Sequence, residues 1–259
     1  MKQLDMRPRL RWVTLWSVLL WSYALATVAP APAAFYYIND GATNLDVYTS
    51  ATGTNCLTCG TNPASPMLTL SNLLVQYDLE PNDVVYLDTG TYSNFLVTVT
   101  TNDSGSAAGY VTFQGSTNGT VLVQTNNVSA VWSISTPGQL GVSYIRINDL
   151  TIRGGQRGVD TILTPYTELR RLNILDQTVQ SVLIRGSANS RLENCILVSS
   201  GSGINLIENS TNVQILSSVI YANLRGVDGI LASGQRNYMS NSIVRVSGSG
   251  TAGSYAMAG

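Results

Sequence analysis

From Arg146 onward the chain repeats one pattern of apolar and polar positions five times. Ile147-Asn148-Asp149-Leu150-Thr151-Ile152 returns as Leu169-Arg170-Arg171-Leu172-Asn173-Ile174 and as Leu192-Glu193-Asn194-Cys195-Ile196-Leu197. It returns again as Ile215-Leu216-Ser217-Ser218-Val219-Ile220 and Met239-Ser240-Asn241-Ser242-Ile243-Val244, with first residues 22, 23, 23 and 24 positions apart. Each unit has an inward residue, a two-residue break, and then an inward–outward–inward alternation. A period of two belongs to strands, and the break resets its phase. A helix would need apolar residues at three- and four-residue spacing over longer runs.

Strands this short, separated by polar turns, can bury their apolar sides only by winding into a tube. Each coil then hydrogen-bonds to the next at ~4.8 Å, as in a parallel β-solenoid. Val159, Val182, Ile204 and Val227, spaced 23, 22 and 23, mark a third strand per coil. The predicted fold is therefore all-β, with three strands and 22–24 residues per coil. Asn and Asp suit the two-residue turn because they tolerate a left-handed backbone. A leucine-rich repeat is the alternative architecture, but its fixed Leu and Asn pattern is missing.

These features resemble the right-handed parallel β-helix of the pectin-lyase-like superfamily, and the handedness is implied by that resemblance. Asp83-Val84-Val85-Tyr86-Leu87-Asp88-Thr89-Gly90-Thr91-Tyr92 resembles the opening coil of exported β-helix proteins. Tyr36 to Gly41 and Asn62 to Pro66 resemble their lead-in segment. Ser71 to Tyr77 is expected to form a short amphipathic helix, N-capped near Thr69 or Ser71, that covers the mouth of the tube. Gly109 to Gly115 and Ala130 to Ile134 supply further coils. The resemblance spans most of residues 35–255. It is specific for fold and weak for activity, since one architecture hosts many functions.

At the N-terminus, Arg7, Arg9 and Arg11 precede an uncharged apolar stretch from Trp12 to Ala29, with Ala24-Leu25-Ala26 near its end and Ala31-Pro32-Ala33 after it as candidate cleavage sites. This is the layout of a secretory signal peptide over residues 1–33, and Pro30 and Pro32 argue against the rival membrane anchor. Residues 34–82 read as lead-in and cap, and residues 83–259 as the β-helix. The final residues, Ser254 to Gly259, fall inside a coil, where a solenoid needs a cap. The expectation is a longer parent protein, with dimerisation at the uncapped end as the alternative.

Composition narrows the chemistry. There is no His, which removes Ser-His-Asp and Cys-His catalysis and imidazole metal sites. A net charge of −1 gives no support to a nucleic-acid partner. The charge is divided: seven acids and no cation lie between Phe35 and Val142, whereas the cations beyond residue 33 are all arginine, beginning at Arg146. An anionic ligand belongs on the second half. Cys56 and Cys59 stand as C-x-x-C in a polar loop of an exported chain, where a local disulfide is expected. Cys195 falls at an inward position, as a small hydrophobe.

The alternation also sorts the outward side chains. Arg146, Glu168, Arg191, Gln214 and Tyr238 form one column, with opposite charges at one-coil spacing. Ile196, Val198, Val219, Tyr221 and Ile243 make a second outer face apolar, which implies a covering segment or a neighbouring domain. Arg157-Gly158-Val159-Asp160 recurs as Arg225-Gly226-Val227-Asp228 three coils on. Both Asp residues are expected to point out and stay solvated, with the Gly serving the turn. Leu183 and Asn205 stand between them in the column, with Arg185 and Glu208 nearby.

The resemblance implies a polysaccharide groove along this face. Arg157, Asp160, Asn205, Glu208 and Arg225 are the candidate binding residues, for which an acidic polymer fits because guanidinium binds carboxylate bidentately. Asp160 and Asp228 lie roughly 14 Å apart, beyond the ~6.5–9.5 Å of an inverting glycosidase pair. The polygalacturonase constellation is absent. Calcium comes only by analogy with the family, since no acidic set lies on adjacent coils, and no cofactor is expected from the residues. A β-elimination base would have to be arginine, with Arg185 best placed beside Asn205 and Asp228. Arginine is ordinarily protonated, so a salt link within each repeat is the competing explanation. Two functions follow: binding, with or without cleavage, of an extracellular polysaccharide, or a non-catalytic adhesive or spacer module of a larger exported protein.

Overall fold

The computed structural model describes residues 32–134, 141–228 and 236–248. Most of the expected signal peptide and the chain after Gly248 lie outside the described residues. The chain winds as a right-handed parallel β-helix whose described strands form three all-parallel sheets of eight, seven and six strands. One full coil runs through Thr167–Arg170 in the eight-stranded sheet, Asn173–Gln177 in the seven-stranded sheet and Gln180–Arg185 in the six-stranded sheet.

The register follows the repeat. Phe113, Ile147, Leu169, Leu192, Ile215 and Met239 are in-register partners along the eight-stranded sheet. Leu122, Ile152, Ile174, Leu197, Ile220 and Val244 do the same in the seven-stranded sheet. Trp132, Val159, Val182, Ile204 and Val227 complete the core from the six-stranded sheet. Leu150, Leu172 and Cys195 are all buried in the same core cluster. Burial raises the Cys195 thiol to about 11, so it packs as a neutral group. The outward apolar column stands open: Ile196, Val219 and Ile243 are exposed, in register across three coils.

The two-residue turn has one left-handed residue per coil. Asp149, Arg171, Asn194, Ser217 and Asn241 have φ of 57°, 53°, 55°, 48° and 50°. Asp and Asn take this conformation readily, whereas Arg171 needs tertiary support.

The cap begins with an addition to the expected plan. Phe35–Ile38 is itself a strand, parallel to Val84–Leu87 and first in the eight-stranded sheet. The helix covers Leu70–Gln76, one residue earlier than expected, and Thr69 caps it by accepting from the Asn72 amide. Its Leu70 and Leu73 join the core. Cys56 and Cys59 are joined by a disulfide. The loop before the cap is tied down by a buried carboxylate: Asp88 accepts from the backbone amides of Val47, Tyr48 and Thr49 at 2.7, 2.8 and 2.6 Å. No helix among the described residues is long and apolar enough to cross a membrane.

Candidate functional site

The outer face of the six-stranded sheet gathers the side chains singled out from the repeat. In-register pairing makes one column of Thr98, Ser133, Asp160, Leu183, Asn205 and Asp228. Two residues further along their strands, Ile162, Arg185 and Ile207 make a second column. The two Arg-Gly-Val-Asp segments adopt one local geometry. Arg157 Nη1 lies 3.3 Å from Asp160 Oδ2, and Arg225 pairs in the same way with Asp228.

Three expectations are corrected here. First, the Asp residues are not both solvated: Asp160 is only 7% exposed, while Asp228 is partly open. Leu183, outward by alternation, is also buried. Burial pushes the Asp160 carboxyl above the usual range, and the charges of Arg157 and Arg185 only partly offset this.

Second, the glycines serve packing rather than the turn. A Cβ on Gly158 would lie 2.3 Å from Ile174 Cγ2, and one on Gly226 would lie 2.1 Å from Val244 Cγ1. Gly203, in the same row, would meet Ile220 Cγ2 at 2.3 Å. Ser181 stands in the same row and is buried, so the row packed against the seven-stranded sheet holds small residues only.

Third, Arg185 does not sit beside Asp228. Its coil is that of Leu183, two coils before Asp228 in the register. Its carboxylate partner is Glu208, with Nε 3.6 Å from Oε1, and Glu208 occupies a left-handed turn position. Arg185, Asp228 and Asn205 therefore form no compact triad. The face instead carries three arginine–carboxylate pairs at successive levels: Arg157–Asp160, Arg185–Glu208 and Arg225–Asp228. Three solvent-shielded polar atoms of this face have no hydrogen-bond partner: Asp160 Oδ1, Asn205 Oδ1 and Arg185 Nε, the last held by Glu208 at ion-pair distance only.

The eight-stranded sheet carries the other charged column. Arg146 and Glu168 pair at 2.6 Å, as the column implied. Glu168 does not reach Arg191, however. The network steps sideways through Arg170, 3.0 Å from Glu168 and 3.6 Å from Glu193, and Glu193 pairs with Arg191 at 2.8 Å. Arg146 also lies 4.2 Å from the Tyr110 ring centre, and Tyr144 stacks on Tyr166 at 4.3 Å. Sequence reasoning did not single out these tyrosines. Their signal was the position they share, one residue before successive strands of this sheet.

Among the described residues no three carboxylates or thiols gather as ligands. The carboxylates of the candidate face are instead taken by arginine, so this donor set does not fit Ca2+.

No family model matches the chain, and no curated protein matches it. Among solved structures, the alginate lyase from Paenibacillus sp. str. FPU-7 is 17% identical over 62% of this chain and 69% of its own, with a TM-score of 0.43. Pectate lyase Pel9A is 13% identical over 87% of this chain and 80% of its own, with a TM-score of 0.44. ORF18 of Geobacillus virus E2 is 16% identical over 66% of this chain, with a TM-score of 0.51. The chain has a parallel β-helix fold. At these identities the likeness is one of fold alone, and this chain spans 36% of the viral protein.

Proposed function

We propose that the chain is an exported β-helix protein that binds an acidic extracellular polysaccharide along the outer face of the six-stranded sheet. The observation that supports this reading is the set of three arginine–carboxylate pairs on one outer face, Arg157–Asp160, Arg185–Glu208 and Arg225–Asp228, each guanidinium still a quarter to a half exposed. The exposed guanidinium edges would donate to hydroxyls and carboxylates of a polymer lying along the solenoid axis. The arginines repeat at multiples of the ~4.8 Å coil spacing, which suits a ligand that is itself periodic.

Arg157, Asp160, Asn205, Glu208 and Arg225 would hold the polymer, and Arg185 with Asp228 would carry any cleavage. The ion pairs favour the second reading, a non-catalytic module of a larger exported protein. Every arginine of the face is engaged by a carboxylate. A guanidinium is ordinarily protonated, the opposite of what a base needs.

The test incubates the full chain with pectate and with alginate, measuring both retention of polymer and ultraviolet absorbance of an unsaturated product. Binding that weakens about tenfold in Arg157→Gln/Arg225→Gln, and falls with salt, is the expected result. Product that accumulates, and is lost in Arg185→Ala, would establish a lyase. Failure to retain either polymer would overturn the acidic-polysaccharide reading.

A further inference from the structure

A second concave site lies at the N-terminal end of the solenoid, built from residues distant in sequence. The capping helix supplies Ser71, the strand Gly90–Ser93 supplies Thr91, Tyr92 and Ser93, the following link supplies Phe95, and the lead-in supplies Asp40. The cavity holds about 310 Å³. That is at the lower end for small-molecule sites, enough for one sugar-sized ring. Tyr92 and Phe95 are nearly buried and form an aromatic floor, while Ser71, Thr91 and Ser93 are exposed and form a hydroxyl rim.

Asp40 gives the site its polarity. Its Oδ1 accepts from the Ala42 amide at 2.8 Å and its Oδ2 from the Thr91 amide at 3.0 Å. Each oxygen keeps a lone pair, so a carboxylate already fixed by two backbone donors can accept two more bonds from a ligand. An apolar ring face below and acceptors at the edge match a ring with C–H bonds on its face and hydroxyls around its rim.

Charge decides which sugar. No basic residue occurs between Phe35 and Val142, while seven acids do, so nothing in this region offsets Asp40. A uronate would be repelled here, although the arginine face would attract it. We propose that this cavity binds a single neutral hexose ring and discriminates against its uronate. The site is separate from the face that would hold an acidic polymer.

The test applies saturation-transfer NMR to the full chain with glucose and with glucuronate, which differ only at the exocyclic carbon. Glucose should show transfer at millimolar concentration, and glucuronate about tenfold weaker binding in the part of its signal that Ser93→Trp removes. Ser93→Trp places a bulky ring in the cavity from an exposed position and should abolish the glucose signal without changing circular dichroism or Tm. Asp40→Asn should bring glucuronate binding up towards that of glucose. The proposal is overturned if neither sugar shows transfer, if the glucuronate signal that Ser93→Trp removes is as strong as the glucose signal it removes, or if Ser93→Trp leaves the glucose signal intact. A negative result here would leave pectate retention, which reads the other face, unaffected.

Discussion

Arg171 follows Asp149 by one coil, and the two side chains are joined by paired hydrogen bonds, Nε to Oδ1 at 2.6 Å and Nη2 to Oδ2 at 2.7 Å. Both residues hold the left-handed position of their turns. The pair therefore links two coils at a place where arginine has no conformational preference of its own. Arg171→Ala keeps the unfavourable backbone and loses the pair, which is half-exposed, so it should cost about 0.5–1 kcal/mol in urea unfolding. Arg171→Asn loses the pair but gains a residue suited to the turn, and should be neutral within about 0.5 kcal/mol.

The same pair sets an acid dependence. Bonding to Arg171 holds the Asp149 carboxyl below its ordinary value. Its folded pKa is thus lower than its unfolded one, so its contribution is full above the unfolded value of about 3.9. The contribution is lost as pH falls through the depressed folded value. Asp149→Asn should flatten the acid limb of the stability curve relative to the native chain, in thermal unfolding followed from neutral pH downward.

Asp160 has the opposite sign. Its folded pKa is raised by burial, so the native state keeps a proton that the unfolded chain releases. Stability from this group is present below about pH 3.9 and declines as pH rises through the raised folded value. Asp160→Asn should gain on the native chain across that window. A difference between the two that runs the other way would show that Arg157 and Arg185 outweigh desolvation.

The glycines of the six-stranded sheet give a steric prediction. Gly226→Ala and Gly158→Ala should each destabilise by about 1–3 kcal/mol, because the added methyl meets Val244 or Ile174 in a packed interior. Gly41→Ala has nothing within 4 Å of the new carbon and serves as the control. Denaturant midpoints with an unchanged m-value would distinguish strain from loss of structure.

Asp88 tests the lead-in. Asp88→Ala leaves the amides of Val47, Tyr48 and Thr49 without their acceptor and should cost about 2–4 kcal/mol. Proteolysis within residues 41–52 should accelerate first, because that loop loses its anchor.

What was legible in the sequence was whatever a single coil repeats. Leu150, Leu172 and Cys195 announce their shared layer because each lies three residues after another inward residue. Asn194 and Asn241 announce the left-handed turn by residue type. Arg171 and Ser217 hold the same position without that preference, and Arg171 does so through its pair with Asp149. The burial of Asp160 was hidden for a related reason: alternation gives the direction of a side chain but not what stands around it, here Leu183 and Arg185 from the next coil. The role of Gly158 was misread because a period of two does not show which side chain of the neighbouring sheet crowds a position, here Ile174. The strand Phe35–Ile38 and the anchoring of residues 47–49 by Asp88 join segments some forty or fifty residues apart, with no repeat to mark them.

Because every rung of the three sheets meets its equivalent one turn later, the natural unit of insertion or deletion is the whole turn. Excising Leu172 to Asn194 would join Arg171 to Cys195 with each remaining side chain still facing its original direction, and would bring the two Arg-Gly-Val-Asp segments one storey closer. Removing a few residues more or fewer would turn the interior of every later storey towards water. The spacing between charges along the outer wall can therefore change only in steps of one storey, like the floors of a building.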